Sequence, residues 1–404
     1  MLSTVLLAAI AGITVLVANQ IAFPDPDPSR VHSYSDQYYY VRMAQAPFSD
    51  GYLTHTAPFC WRLLMPLLAY ALPFSLQANF YLLMFAGLLI ATFGLYLYLA
   101  DLGFSRSYRF YGIAAFATLS GGVGYAFRNF YLVDPLLLAA ISISFLLLRR
   151  QRWLALAAVL ALGAFNRETI LLVFPAFLVL EMASRRDESL VRRGARLVAV
   201  FLPAVAVVVG VHLAIDHVNN YGIAGEAHRA VSLRFGSGPR FLLDEAFRWT
   251  LGAWGVLAIL MLVRPARQVH RLTGDLRWAL VLLVAAYAQL FFASPHVERL
   301  VTIAFPAMCV LALGVLSDLS ATFDLSPPAV MGLIAVPHLV VFFGQMYAGY
   351  SPTPTPDTVV TKIGGILSVI CLALLQAIVF ARASRLAGPL YERVRITLGF
   401  SPLS

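Results

Sequence analysis

Five groups of polar side chains interrupt an otherwise apolar chain, and their residue types suit one kind of chemistry. They are Asp36 in SYSDQYYYVRMAQ, Arg62 in WRLLMP, Arg128 with Asp134 in FRNFYLVDP, Asn166-Arg167-Glu168 in FNRET, and His296 with Glu298 and Arg299 in SPHVERLV. An arginine fork binds phosphate oxygens two at a time, and a carboxylate accepts the proton of an attacking hydroxyl. Carboxylates and arginines together in an apolar setting therefore suit an anionic, lipid-linked ligand. Each group also has a purely structural reading. Arg167 with Glu168, and Glu298 with Arg299, can be local ion pairs at helix ends. Asp134, standing before Pro135, can open a helix, and Asp36 can cap one that starts at Gln37.

The elements that must position these groups follow from composition. Of the 404 residues 60% are hydrophobic and 12% charged, which excludes an ordinary water-soluble fold and points to a polytopic membrane protein. A spanning helix needs about 20 apolar residues, fewer inside a bundle. That ruler predicts twelve helices, at 2–22, 78–100, 109–126, 132–148, 153–165, 169–183, 197–215, 248–263, 278–293, 300–316, 329–347 and 361–381. The fold class expected is all-α: one integral-membrane domain over 1–404, with a first outer loop at 23–77, a second at 216–247 and a cytoplasmic tail at 383–404.

Orientation follows from charge. With the N-terminus placed in the cytoplasm, the arginine-rich connections at 149–152, 184–196 and 264–277 and the C-terminal tail all fall on the inner side, as the positive-inside rule requires. Both termini are then cytoplasmic, and all five polar groups fall on the outer side under a topology derived without reference to them. Ionisable groups near membrane depth cost roughly 2.5–3.5 kcal/mol each at a helix centre, so those that remain need a reason. Within the first outer loop, Trp61 to Pro73 is apolar but too short to span, and Pro66 and Pro73 are each expected to interrupt it. Tyr38, Tyr39, Tyr40, Phe48, Tyr52, Phe59 and Trp61 have the composition of a membrane-surface belt.

Several classes are excluded. The net charge of +9 is carried by 29 basic residues, of which Lys362 is the only lysine, and they lie between apolar segments, so nucleic acid is not an expected partner. Cys60, Cys309 and Cys371 are too scattered for a disulfide framework or metal cluster. His32 and His55 share a loop with Asp36, and His212 and His217 flank Asp216, but none has the spacing of a zinc site. Gly121-Gly122-Val123-Gly124 reads as helix packing rather than a phosphate loop. No cofactor and no metal are expected.

In organisation the chain resembles the GT-C superfamily of polytopic glycosyltransferases, most nearly the polyprenyl-phosphate-mannose-dependent mannosyltransferases. The resemblance rests on the acid with aromatics Asp36-Gln37-Tyr38-Tyr39-Tyr40, the segment Trp61-Arg62-Leu63-Leu64-Met65-Pro66-Leu67-Leu68, an Asp at the fourth helix, an Arg-Glu pair after a short helix and a late Glu-Arg. Many members carry two adjacent acids in the first loop, whereas Gln37 follows Asp36 here and Pro26 separates Asp25 from Asp27. The resemblance implies an inverting transfer of one sugar from a polyprenyl-phosphate donor to a lipid or glycan hydroxyl. It would take place on the extracytoplasmic side of the plasma (inner) membrane, among membrane lipids. It implies Asp36 as base, Asp134 or Glu168 as assisting acid, Arg62, Arg128, Arg167 and Arg299 as the pool of phosphate ligands, and His296 as a further donor. A twelve-helix transporter, a non-catalytic scaffold and a glycan polymerase or ligase using a lipid diphosphate are the rival readings.

Overall fold

The computed structural model describes residues 36–47, 58–184, 188–215, 277–289 and 297–323, with short or isolated stretches at 231–232, 250, 253–254, 326–329, 331, 335 and 338–339. The expected helices at 2–22 and 361–381, the C-terminal tail, and nearly all of the second outer loop and of the helices expected at 248–263 and 329–347 lie outside the described residues. Among the described residues the regular structure is helical, with no strand. Among the described residues, three helical segments are long and apolar enough to cross a membrane: Leu76–Asp101, Leu190–Ala214 and Arg299–Ser317.

In chain order the helices are α1 (Asp36–Gln45), α2 (Leu64–Ala71), α3 (Leu76–Asp101), α4 (Arg106–Ala117), α5 (Tyr125–Arg128), α6 (Asp134–Arg149), α7 (Trp153–Asn166), α8 (Phe174–Ser184), α9 (Leu190–Ala214), α10 (Arg277–Ala288), α11 (Val297–Val301) and α12 (Phe305–Phe323). Proline sets several of these starts. Pro135, Pro175 and Pro306 each stand second in their helix, where the missing N–H has no partner to lose. Upstream of Pro175 and Pro306 the chain winds into 3-10 turns, Glu168–Val173 and Thr302–Ala304. The expected helix at 169–183 is thus two pieces. Pro66 falls in the first turn of α2 rather than breaking it, and α2 ends before Pro73. The helix expected at 109–126 stops at Ala117, and a π-type turn, Ser120–Gly124, leads into α5.

Close packing orders the bundle. A Cβ added to Gly87 of α3 would lie 2.8 Å from the Pro135 backbone of α6, and one added to Gly94 would lie 2.7 Å from Ser142 Oγ. That hydroxyl donates to Ala91 O at 2.7 Å. Beyond the helix ends, Arg150 grips Asp101 with Nε at 2.6 Å. Because the pairs 87/135, 91/142 and 101/150 rise together, α3 and α6 run parallel, with α4 as the return. α7 runs antiparallel to α6, since Gly163 packs on Ala140 and Asn166 Nδ2 reaches Val133 O at 2.7 Å. α9 lies beside α7, with Arg196 over the Trp153 ring at 4.9 Å at one end and His212 against the Trp61 ring at 3.7 Å at the other.

This arrangement gives the bundle two unlike ends. The start of α6, the end of α7, the 3-10 turn at Glu168 and the start of the Arg299–Ser317 segment share one end. Arg149, Arg150, Arg152, Arg193 and Arg196 lie at the other, where Arg193 Nη1 donates to Met182 O at 2.8 Å and Arg196 pairs with Glu181 and Glu188. Burial is equally uneven. The most apolar stretch of Arg299–Ser317 is 94% buried, whereas that of α9 is 22% buried, and Val198, Leu202, Val205, Val209 and Leu213 of α9 face outward. In water such a face would be costly; in a bilayer it is the solvent-facing side.

Candidate functional site

Five separate stretches of chain bring six ionisable side chains together at one end of the bundle. Asp36 opens α1, Arg62 follows the 3-10 turn Phe59–Trp61, and Asp134 opens α6. Arg167 and Glu168 occupy the corner after α7, and Arg299 lies on α11. The corner is shaped by an extended Arg167 (φ −164°, ψ 126°), which sends consecutive side chains in different directions. Arg167 and Glu168 therefore do not pair with each other.

Arg167 donates through Nη1 to Asp134 Oδ1. Arg299 Nη1 donates to Asp36 Oδ2 at 2.8 Å, and its Nε lies 3.3 Å from Asp134 Oδ1, close enough for ion pairing but not aligned as a hydrogen bond. Asp134 thus lies between two guanidinium groups. Arg62 meets Glu168 through two bonds, Nη2 to Oε1 at 2.7 Å and Nε to Oε2 at 3.3 Å, the fork geometry of the stronger arginine–carboxylate pairs. Its Nη1 donates to Tyr40 Oη at 3.1 Å, and its guanidinium carbon lies 5.8 Å from the centre of the Phe59 ring. Three arginines face three carboxylates, so these six groups sum to zero.

Exposure divides them. Asp36 and Glu168 keep 30% and 29% of their side chains accessible, whereas Asp134 keeps 10% and the three arginines 7% or less. The site presents carboxylates outward and holds its cations behind them. Burial alone would push the Asp36 and Glu168 carboxyls up, but the arginines outweigh it. Arg299 holds Asp36 below the usual carboxylate range, and Arg62 holds Glu168 at about 2. Both are ionised at neutral pH. Oδ2 of Asp134 and Oδ1 of Asn166 are buried acceptors without a hydrogen-bond partner among the described residues.

Of the residues singled out in the sequence, Asp36, Arg62, Asp134, Arg167, Glu168 and Arg299 are in this network. Arg128 closes α5 and Glu298 lies on α11 as backbone positions, while His296, His32, His55 and His217 lie outside the described residues. Asp134 does open its helix, but its side chain serves the ion pairs rather than a cap. Asp36 is the first residue of α1. His212 stacks with Trp61 and its Nδ1 lies 2.7 Å from Val208 O. Among the described residues no three His, Cys, Asp or Glu side chains converge as cation ligands would.

Sequence reasoning missed three contributors. Tyr40 belongs to the aromatic run but is fully buried as a partner of Arg62, with Tyr39 stacked on Phe59 at 4.8 Å beside it. Gln37 donates to Asn129 Oδ1 at 2.6 Å and so ties α1 to the end of α5. Tyr125 lies under Arg299 at 5.8 Å. A tyrosine or amide in a loop carries no signal of its own; only the contact gives it meaning. No protein-family model matches the chain, and no curated protein matches it significantly.

Proposed function

We propose that the chain is a membrane glycosyltransferase. It moves one sugar from a polyprenyl-phosphate donor to a lipid or glycan hydroxyl at the extracytoplasmic face, with inversion. The observation that carries the reading is the joining of Asp36, Arg62, Asp134, Arg167, Glu168 and Arg299 at the bundle end opposite the arginine-rich connections.

In this reading the acceptor hydroxyl gives its proton to Asp36 while its oxygen attacks the anomeric carbon. The bond from that carbon to the phosphate oxygen breaks in the same displacement, so configuration inverts. The leaving polyprenyl phosphate keeps the electron pair, and its charge is met by arginine. Asp36 suits the base because it is ionised and accessible. Asp134 is nearly covered and holds Arg167 and Arg299 in place, which supports a positioning role over direct proton transfer. A general base contributes about 10²–10⁴ in rate, so Asp36→Asn is expected to lose transfer by that factor while the protein stays folded. The measurement is transfer from radiolabelled polyprenyl-phosphate sugars to a membrane-lipid extract by protein in lipid discs. Equal transfer by wild type and variant would move the base to another acid.

The complete pairing of the three arginines favours one other reading, a structural weld between segments distant in sequence. A weld tolerates Asp36→Glu and needs no donor; the transferase turns over only with one.

A further inference from the structure

The three arginines are not equivalent as ligands for an anion. Arg167 is held by an Asp134 that is nine-tenths covered, and Arg299 is shared between that same Asp134 and the accessible Asp36, which it meets through one hydrogen bond, so freeing either cation completely means moving Asp134 in the interior. Arg62 alone of the three pairs with a carboxylate that is both accessible, at 29%, and bound through two oxygens. Those two oxygens occupy the edge of the guanidinium that a phosphate would grip. Tyr40 and Phe59 hold the remaining sides of Arg62, so the cation stays in place when its carboxylate leaves.

The surroundings indicate what kind of phosphate. Trp61 and Leu63, the neighbours of Arg62, pack with Cys60, Val211 and Ile215 at the end of α9. On its other side α9 turns Leu202, Val205, Val209 and Leu213 outward. Arg62 therefore lies at the level of the end of α9, where the phosphate of a lipid resting against that helix would sit.

We infer that Arg62 is the arginine that takes a lipid phosphate, and that Glu168 is its displaceable internal counter-ion, holding the fork that two phosphate oxygens would take. This deepens the transferase reading and rests on it for the identity of the lipid. Glu168 can move because it begins a 3-10 turn after an extended residue. Its carboxylate leaves as an anion, so one negative group replaces another and the site's charge stays balanced.

The test is equilibrium binding of farnesyl phosphate, with inorganic phosphate and farnesol as companion probes, to the full chain in discs of zwitterionic lipid. Glu168→Gln removes the competing charge and is expected to tighten farnesyl phosphate about tenfold or more. Glu168→Asp, which keeps the charge but draws it back by one methylene, tightens it less. Arg62→Gln combined with Glu168→Gln abolishes the gain, and farnesol responds to none of these changes. Unchanged or weaker binding in both folded single variants, or no binding by any form, overturns the inference. Inorganic phosphate tightening as much as farnesyl phosphate overturns the path along α9. Tightening without sugar transfer leaves the counter-ion standing and removes the transferase; transfer without tightening removes only the counter-ion.

Discussion

At the scale of the residue, the site is defined by which partner each charge has. Asp134 serves two arginines at once, so Asp134→Asn leaves two buried cations short of a counter-charge. Breaking a buried pair from one side costs about 3–5 kcal/mol, far more than an exposed pair would. A lowered thermal midpoint in detergent, larger than that of Arg150→Gln at the 43%-exposed far-end pair, is the expected result. Glu168 adds a pH signature. Its carboxyl is held at about 2, below the ordinary range, so its contribution to stability is fully present above the unfolded value of about 4.3 and is lost as pH falls toward 2. Thermal midpoints recorded across that window are expected to fall less steeply in Glu168→Gln than in wild type. Asp36 is likewise lowered, so transfer is expected to persist below pH 5 rather than to switch off near neutrality.

At the scale of the element, the site depends on how closely α3 and α6 approach. Gly87 lets α3 lie against the backbone of Pro135, the residue after Asp134, where an added methyl would meet carbonyl atoms that cannot rotate away. Gly87→Ala is expected to cost about 1–3 kcal/mol and to slow transfer by moving Asp134 off its arginines. Gly210→Ala on α9 has nothing within 4 Å of the new methyl and is expected to be neutral or slightly stabilising, because alanine suits a helix better. Comparing the two by thermal midpoint and by activity separates helix approach from helix propensity.

At the scale of the molecule, the separation of the two ends is the property that matters. Arg150 marks one end through its pair with Asp101, and Trp61 marks the other through its contact with His212. In sealed inverted and right-side-out vesicles, with native cysteines replaced, Arg150→Cys and Trp61→Cys are expected to react with an impermeant thiol reagent from opposite faces. Trp61 should be the one reached from outside. Reaction of both from one face would overturn the topology built on charge asymmetry.

Much of this was legible in the amino-acid sequence. Apolar runs and arginine-rich connections gave the helical class, the approximate position of α3, α6, α7 and α10, and the list of polar groups, because burial in lipid penalises every unneeded charge. Helix ends were less legible. Proline truncated the segments before Pro175 and Pro306, and a glycine-rich π-type turn ended the helix near Ala117, effects that an apolar count does not register. What only the tertiary structure decided was the pairing. Arg167 and Glu168 are neighbours in sequence, yet the extended corner sends one to Asp134 and the other to Arg62. Arg299 reaches Asp36 across 263 positions of chain. Sequence determines which charges must be satisfied; the contact between distant helix ends, set by close packing, determines by whom.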